Sequence, residues 1–206
     1  MSENNVLTKN DKNRKRVRWV AKTGILAAVA IALMFLELNL PFMPTFLKFD
    51  FSEIAVLIAA FSLGPLTAIL IELIKNVAHL PFSSSLFVGE LANFIVGSFF
   101  VGTAGLIYRH HKTRKSAVLG MAAGTVVMTS VASLVNYFFL IPFYITVVGF
   151  PIEAIVGASQ GVGNTMVTDL PSLIVWVFVP FNLFKGIVIS LIVGLIYKRV
   201  SPLLHR

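Results

Sequence analysis

The chain has no cysteine among its 206 residues, only nine aspartates and glutamates, and 13% charged residues in all. The first absence excludes disulfides, thiolate-bound metals and cysteine nucleophiles. The scarcity of charge excludes an ordinary soluble domain, in which about a quarter of residues are charged. Enzyme signatures are missing too: there is no HExxH and no GxSxG. His79, His110, His111 and His205 are scattered without metal-ligand spacing, so no metal site and no catalytic residue is expected. The run 157–163 (GASQGVG) lacks the Gly-Lys-Ser/Thr ending of a phosphate loop.

What is present is apolar surface. Hydrophobic residues make up 57% of the chain and the mean hydropathy is +0.87, which places it in a lipid bilayer. The net charge of +8 is not spread as a nucleic-acid-binding face would be. Seven cations (Lys9, Lys12, Arg14, Lys15, Arg16, Arg18, Lys22) precede or open the first apolar run. Four more (Arg109, Lys112, Arg114, Lys115) share one loop, and Lys198, Arg199 and Arg206 end the chain. The stretch 142–171 holds no Lys or Arg. Basic loops stay in the cytoplasm. The pattern therefore predicts an all-α integral membrane bundle of six transmembrane helices with cytoplasmic N- and C-termini, and no nucleic-acid partner.

The expected organisation is a disordered basic tail over 1–16, one membrane domain over 17–200, and a short tail over 201–206. Span one covers 17–38, followed by a Pro-punctuated aromatic outer loop over 40–50. Two short helices, 51–62 and 65–80, flank a Leu-Gly-Pro turn. Spans four and five cover 86–108 and 117–141. A long outer connection over 142–171 follows, and the last helix starts or kinks at Pro180, where proline is tolerated in a first turn.

The few intramembrane polar groups are Glu72, Lys75, Asn76, Glu90, Asn93, Asn136, Asn182 and Lys185, and most fall toward the outer ends of their spans. Such groups are costly in lipid and face a partner or a cavity. Asn136, Asn182 and Lys185 together offer amide donors and acceptors and an ammonium donor, a set suited to a neutral polyhydroxylated or carbonyl-bearing ligand. Lys185 has a second reading, as a lysine snorkelling to the interface. Asn136 and Asn93 have one too, as interhelical glue. Phe42, Phe46, Phe49 and Phe51 form either an interfacial belt or a stacking wall above the polar set. Glu72, Lys75 and Asn76 read as a structural ion-pair cluster. Gly24, Ala28 and Ala32 form a small-residue stripe that serves either internal packing or docking to another membrane protein.

The segments 40–53 (LPFMPTFLKFDFSE), 63–65 (LGP), 74–76 (IKN), 136–138 (NYF) and 180–186 (PFNLFKG) resemble the riboflavin-specific S components of energy-coupling factor transporters. The resemblance runs from the first loop to the last helix. It implies a multi-pass protein of the bacterial plasma membrane that captures riboflavin as cargo, with no cofactor, at its outer face. It implies ribityl contacts at Asn136, Asn182 and Lys185 and a ring held by apolar and aromatic walls to which the first loop contributes, with Leu40, Phe42, Phe46, Asn93 and Tyr137 completing the expected substrate-binding set. It also implies docking through Gly24, Ala28 and Ala32 to a transmembrane coupling protein and two cytoplasmic ATPases. Another vitamin or flavin, such as flavin mononucleotide, and a solitary facilitator remain as alternatives. An intramembrane enzyme would need paired acids, for which Glu72 and Glu90 are the candidates.

Overall fold

A computed structural model describes residues 9–204, with side chains from 10 to 197. The basic residues expected at the extreme ends, Lys198, Arg199 and Arg206 among them, fall outside the described side chains. Helix α1 (Lys9–Met34) begins two turns earlier than expected, so half of the anticipated disordered tail is helical. Its Trp19 indole donates to Thr67 Oγ1 at 3.1 Å, tying it to α3.

The loop after α1 is more ordered than its prolines imply. Strands β1 (Leu38–Asn39) and β2 (Lys48–Phe49) pair antiparallel, with Leu38 opposite Phe49. Among the described residues the bundle is therefore all-α apart from this ribbon. Next comes a helical hairpin of α2 (Ser52–Ser62) and α3 (Pro65–His79), turning at Gly64 with φ of 98°. Only glycine adopts that backbone without strain, and Pro65 pre-sets the first turn of α3. At 11 and 15 residues these helices measure roughly 16 and 22 Å, shorter than the roughly 30 Å hydrocarbon core.

Among the described residues, four helices are long and apolar enough to cross a membrane: Asn10–Met34, Val88–His110, Arg114–Thr146 and Leu170–Tyr197. Helix α4 (Val88–His110) and α5 (Arg114–Val135) pack backbone to backbone. A Cβ on Gly120 would lie 2.7 Å from the Ala104 carbonyl oxygen, and one on Gly124 2.8 Å from that of Phe100. Small residues at these positions are the condition for that approach.

Span five does not stop before Pro142. It passes through a π turn (Asn136–Leu140) into α6 (Ile141–Thr146). After α7 (Ile152–Gly161), the last helix starts at α8 (Leu170–Leu173), passes a π turn (Ile174–Phe178) and continues as α9 (Val179–Leu204). Pro180 is thus neither a start nor a break. Both prolines sit two residues beyond a π turn. Proline cannot donate to the carbonyl four residues back, and at Pro180 that carbonyl, Trp176, instead accepts from Asn164 Nδ2 at 3.0 Å. The wider turn also redirects the side chains that follow it, and π turns concentrate at functional sites.

The main core runs through α1–α5 and α9. A second, smaller cluster joins Ile141, Ile155, Val156, Leu173, Val177 and Phe178, packing α7 over the end of the bundle that carries both π turns.

Candidate functional site: a cavity beneath the first loop

At that end lies a cavity of about 570 Å³, walled by the first loop, α4, the two π-turn helices and α7. The Arg109–Arg114 connection is at the opposite end of α4 and α5. A volume of this size is typical of small-molecule sites.

The sequence-nominated residues divide into two groups. Asn93, Asn136, Asn182, Lys185 and Phe46 line the cavity. Asn136 and Asn182 are buried, and each donates its Nδ2 to the carbonyl one turn back, Ala132 at 2.7 Å and Phe178 at 2.8 Å. Those bonds fix the amide orientation. They leave Asn136 Oδ1 buried and without a hydrogen-bond partner among the described residues. A buried acceptor left unpaired is costly, so this oxygen is set to receive a donor. The Asn93 amide makes no hydrogen bond to the described residues either. Phe46 lies 6.2 Å from the ring of Phe178, tilted 32°, and both rings face the cavity.

Leu40, Phe42 and Tyr137 do not line the cavity. Leu40 packs half-buried against the main core. Phe42 stands edge-on to Phe184 of α9 at 6.0 Å. Tyr137 follows Asn136 by one residue, so it points to a different side of the helix; it is exposed and contacts Phe138 at 4.8 Å.

Lys185 is not a snorkelling lysine. Its ammonium is buried and donates to Asp50 Oδ2 at 2.7 Å. Asp50, at the end of the first loop, was not singled out from the sequence, although a buried lysine demands an anion. Its Oδ1 accepts from the Ser52 amide at 2.9 Å and from the Ser52 hydroxyl. Burial alone would raise the Asp50 carboxyl, but Lys185, then Lys75, hold it well below the ordinary carboxylate range. The carboxylate also sits before the N-terminus of α2, which favours negative charge.

The chain of polar contacts continues inward. Lys75 donates to Ser52 Oγ at 2.7 Å and to Glu53 Oε1 at 2.7 Å, and lies 3.0 Å from Glu72 Oε2. The ion pair expected within α3 is therefore present, with Glu53 as a further member. All three side chains are essentially without solvent-exposed surface. Gly97 leaves the room, since a Cβ there would lie 2.7 Å from Glu72 Oε2 and 2.9 Å from Glu53 Oε1. Glu90 accepts from Ser83, Ser85 and His79 at 2.7, 2.8 and 3.0 Å. It anchors a turn in which Leu86 and Phe87 hold positive φ angles of 53° and 67°. Glu72 and Glu90 thus have separate structural partners and do not form a catalytic pair.

The stripe on α1 is also resolved. Ala27 and Ala30 pack into the core, whereas Gly24, Ala28 and Ala32 lie exposed on the face turned away from the bundle.

Comparison with known proteins agrees with this architecture. A family model for the substrate-specific component of ECF transporters matches residues 18–197. The chain is 34% identical over 194 residues to the "Riboflavin transporter RibU" of Staphylococcus aureus (strain TCH60), covering 94% of this chain and 96% of that protein. It is 30% identical over 194 residues to the "Riboflavin transporter FmnP" of Bacillus subtilis (strain 168), covering 93% and 96%. A solved S component of a bacterial ECF transporter superposes with a TM-score of 0.71 at 34% identity, over 93% of this chain and 99% of that one. On the strength of a match along nearly its whole length, this chain belongs to the family of substrate-specific S components of ECF transporters.

Proposed function

We propose that this protein is the riboflavin-binding S component of an ECF transporter, capturing the vitamin at the cell exterior. The observation that carries the reading is the unpaired Asn136 Oδ1 in the cavity wall, with the Asn182 amide and the Lys185 ammonium lining the same cavity. Ribityl hydroxyls both donate and accept, so they match a free amide oxygen together with an ammonium that has donors to spare. The flat ring system fits against the Phe46 and Phe178 rings, where offset stacking is favoured.

The charge balance favours the vitamin over its phosphate ester. Glu37, Asp50, Glu53 and Glu90 line the cavity against Lys48 and Lys185, and Lys185 is already paired. Like charges across an interface suppress binding. Titration of the detergent-purified protein with riboflavin, followed by quenching of flavin fluorescence, is expected to give submicromolar affinity. Flavin mononucleotide is expected to bind at least about tenfold more weakly. Asn182→Ala is expected to cost roughly 1–3 kcal/mol of riboflavin binding. Folded protein that leaves riboflavin fluorescence unchanged would overturn the reading.

The same reading includes six membrane-crossing helices with both ends in the cytoplasm, α2 and α3 completing the count. It is supported by the basic loop lying at the end of the bundle opposite the cavity. The absence of native cysteine allows a direct test with single introduced cysteines. In intact cells, Thr113→Cys is expected to resist an impermeant maleimide and Val148→Cys to react. The reverse pattern would invert the topology. The coupling protein and two ATPases of the proposed complex dock on the exposed Gly24, Ala28 and Ala32 face of α1.

A further inference from the structure

A second recess lies at the far end of the bundle from the vitamin cavity. It measures about 380 Å³ and is bounded by the α2–α3 turn and the C-terminal end of α4. Its wall is apolar (Phe61, Leu63, Pro65 and Leu66), and its rim carries Arg109 and Lys112. Neither cation pairs with any acid among the described residues. Leu66 is 80% exposed, so the apolar wall continues onto the lipid-facing surface. Helix α3 also starts here without a side-chain cap, and its positive end adds to the field of the two cations.

We infer that this recess binds the headgroup of an anionic phospholipid. The depth is right for one. Helix α4 has 23 residues, about 34 Å, so its last turn lies at the level of the headgroups when it crosses a roughly 30 Å core. Arg109 and Lys112 meet the phosphate there, while the Leu63, Pro65 and Leu66 surface receives the glycerol and the first methylenes. Basic pockets between membrane helices take anionic headgroups in this way. A soluble anion would gain nothing from the apolar wall, and an acidic protein segment would leave Leu66 against its polar side chains. The inference rests on membrane embedding and not on the identity of the vitamin.

The test is native mass spectrometry of the detergent-purified protein incubated with equal amounts of phosphatidylglycerol and phosphatidylcholine. Retention of one phosphatidylglycerol per chain in preference to phosphatidylcholine is expected. Arg109→Gln/Lys112→Gln is expected to lower that occupancy about tenfold, and Arg114→Gln/Lys115→Gln to leave it unchanged. Both double variants should retain riboflavin binding at the other end, which reports that they fold. Equal retention of the two lipids would overturn the inference, as would equal loss in both variants. So would displacement of the lipid by millimolar inorganic phosphate. A variant Arg109→Gln/Lys112→Gln that binds lipid normally but fails to assemble with the coupling protein would reassign the recess to a protein contact.

Discussion

Lys75→Met is expected to lower the melting temperature steeply, whereas Glu72→Gln is expected to leave it near that of wild type. The asymmetry follows from counting charges. One ammonium faces two carboxylates, Glu53 at 2.7 Å and Glu72 at 3.0 Å, with no solvent to screen them. Removing the lysine leaves two buried acids confronting each other, and breaking a buried pair in this way costs about 3–5 kcal/mol. Removing the charge of Glu72 leaves one cation and one anion. The glutamine can still accept from Lys75 and donate to Glu53. Thermal unfolding in detergent, monitored by size-exclusion chromatography, checks both variants. Equal melting temperatures for wild type and Lys75→Met would show that the cluster is not a structural element. A melting temperature for Glu72→Gln as low as that of Lys75→Met would show that charge balance is not what matters.

Lys185→Met is expected to do two things at once, and a second substitution separates them. It strands Asp50 as a buried anion, again at about 3–5 kcal/mol of stability. It also removes the ammonium from the cavity wall, so riboflavin affinity should fall by about 100-fold, the equivalent of a lost hydrogen bond from a charged group. Asp50→Asn combined with Lys185→Met removes both charges and should recover most of the lost stability without recovering affinity. If the double variant recovers both, Lys185 acts only by pinning the first loop to α9. If it recovers neither, the loop depends on Asp50 through its bonds to Ser52 rather than through the ion pair.

The two ion pairs form one continuous contact chain, Lys185–Asp50–Ser52–Lys75–Glu53, from the cavity wall into the packing of α2 against α3 and α4. The first loop is therefore not a loose flap. Its inner end is fixed by the same charges that hold the helical hairpin together, while its aromatic tip, with Phe46 against Phe178, remains at the cavity.

Some of this protein was determined by the sequence alone. Composition dictates a lipid environment, because 57% apolar residues with nine acids cannot make a soluble surface. The spacing of apolar runs sets the long helices. The expense of amides and lysines in hydrocarbon marks Asn136, Asn182, Lys185 and Lys75 as inward-facing. Phe46 and Asn93 also lie at the cavity. Other features depended on contacts between residues far apart in the chain. Asp50 meets Lys185 across 135 positions, a pairing that no local pattern encodes. The loop aromatics look alike in sequence, yet Phe46 lines the cavity while Phe42 packs edge-on against Phe184 of α9. Tyr137 shares a motif with Asn136 but not a direction. Pro142 and Pro180, which read locally as helix boundaries, lie within continuous helices because a π turn precedes each and the tertiary structure supplies Asn164 to the carbonyl that Pro180 leaves unpaired. Hydrophobic patterning is a one-dimensional signal and survives reading along the chain; side-chain direction and charge pairing are three-dimensional, and only packing decides them.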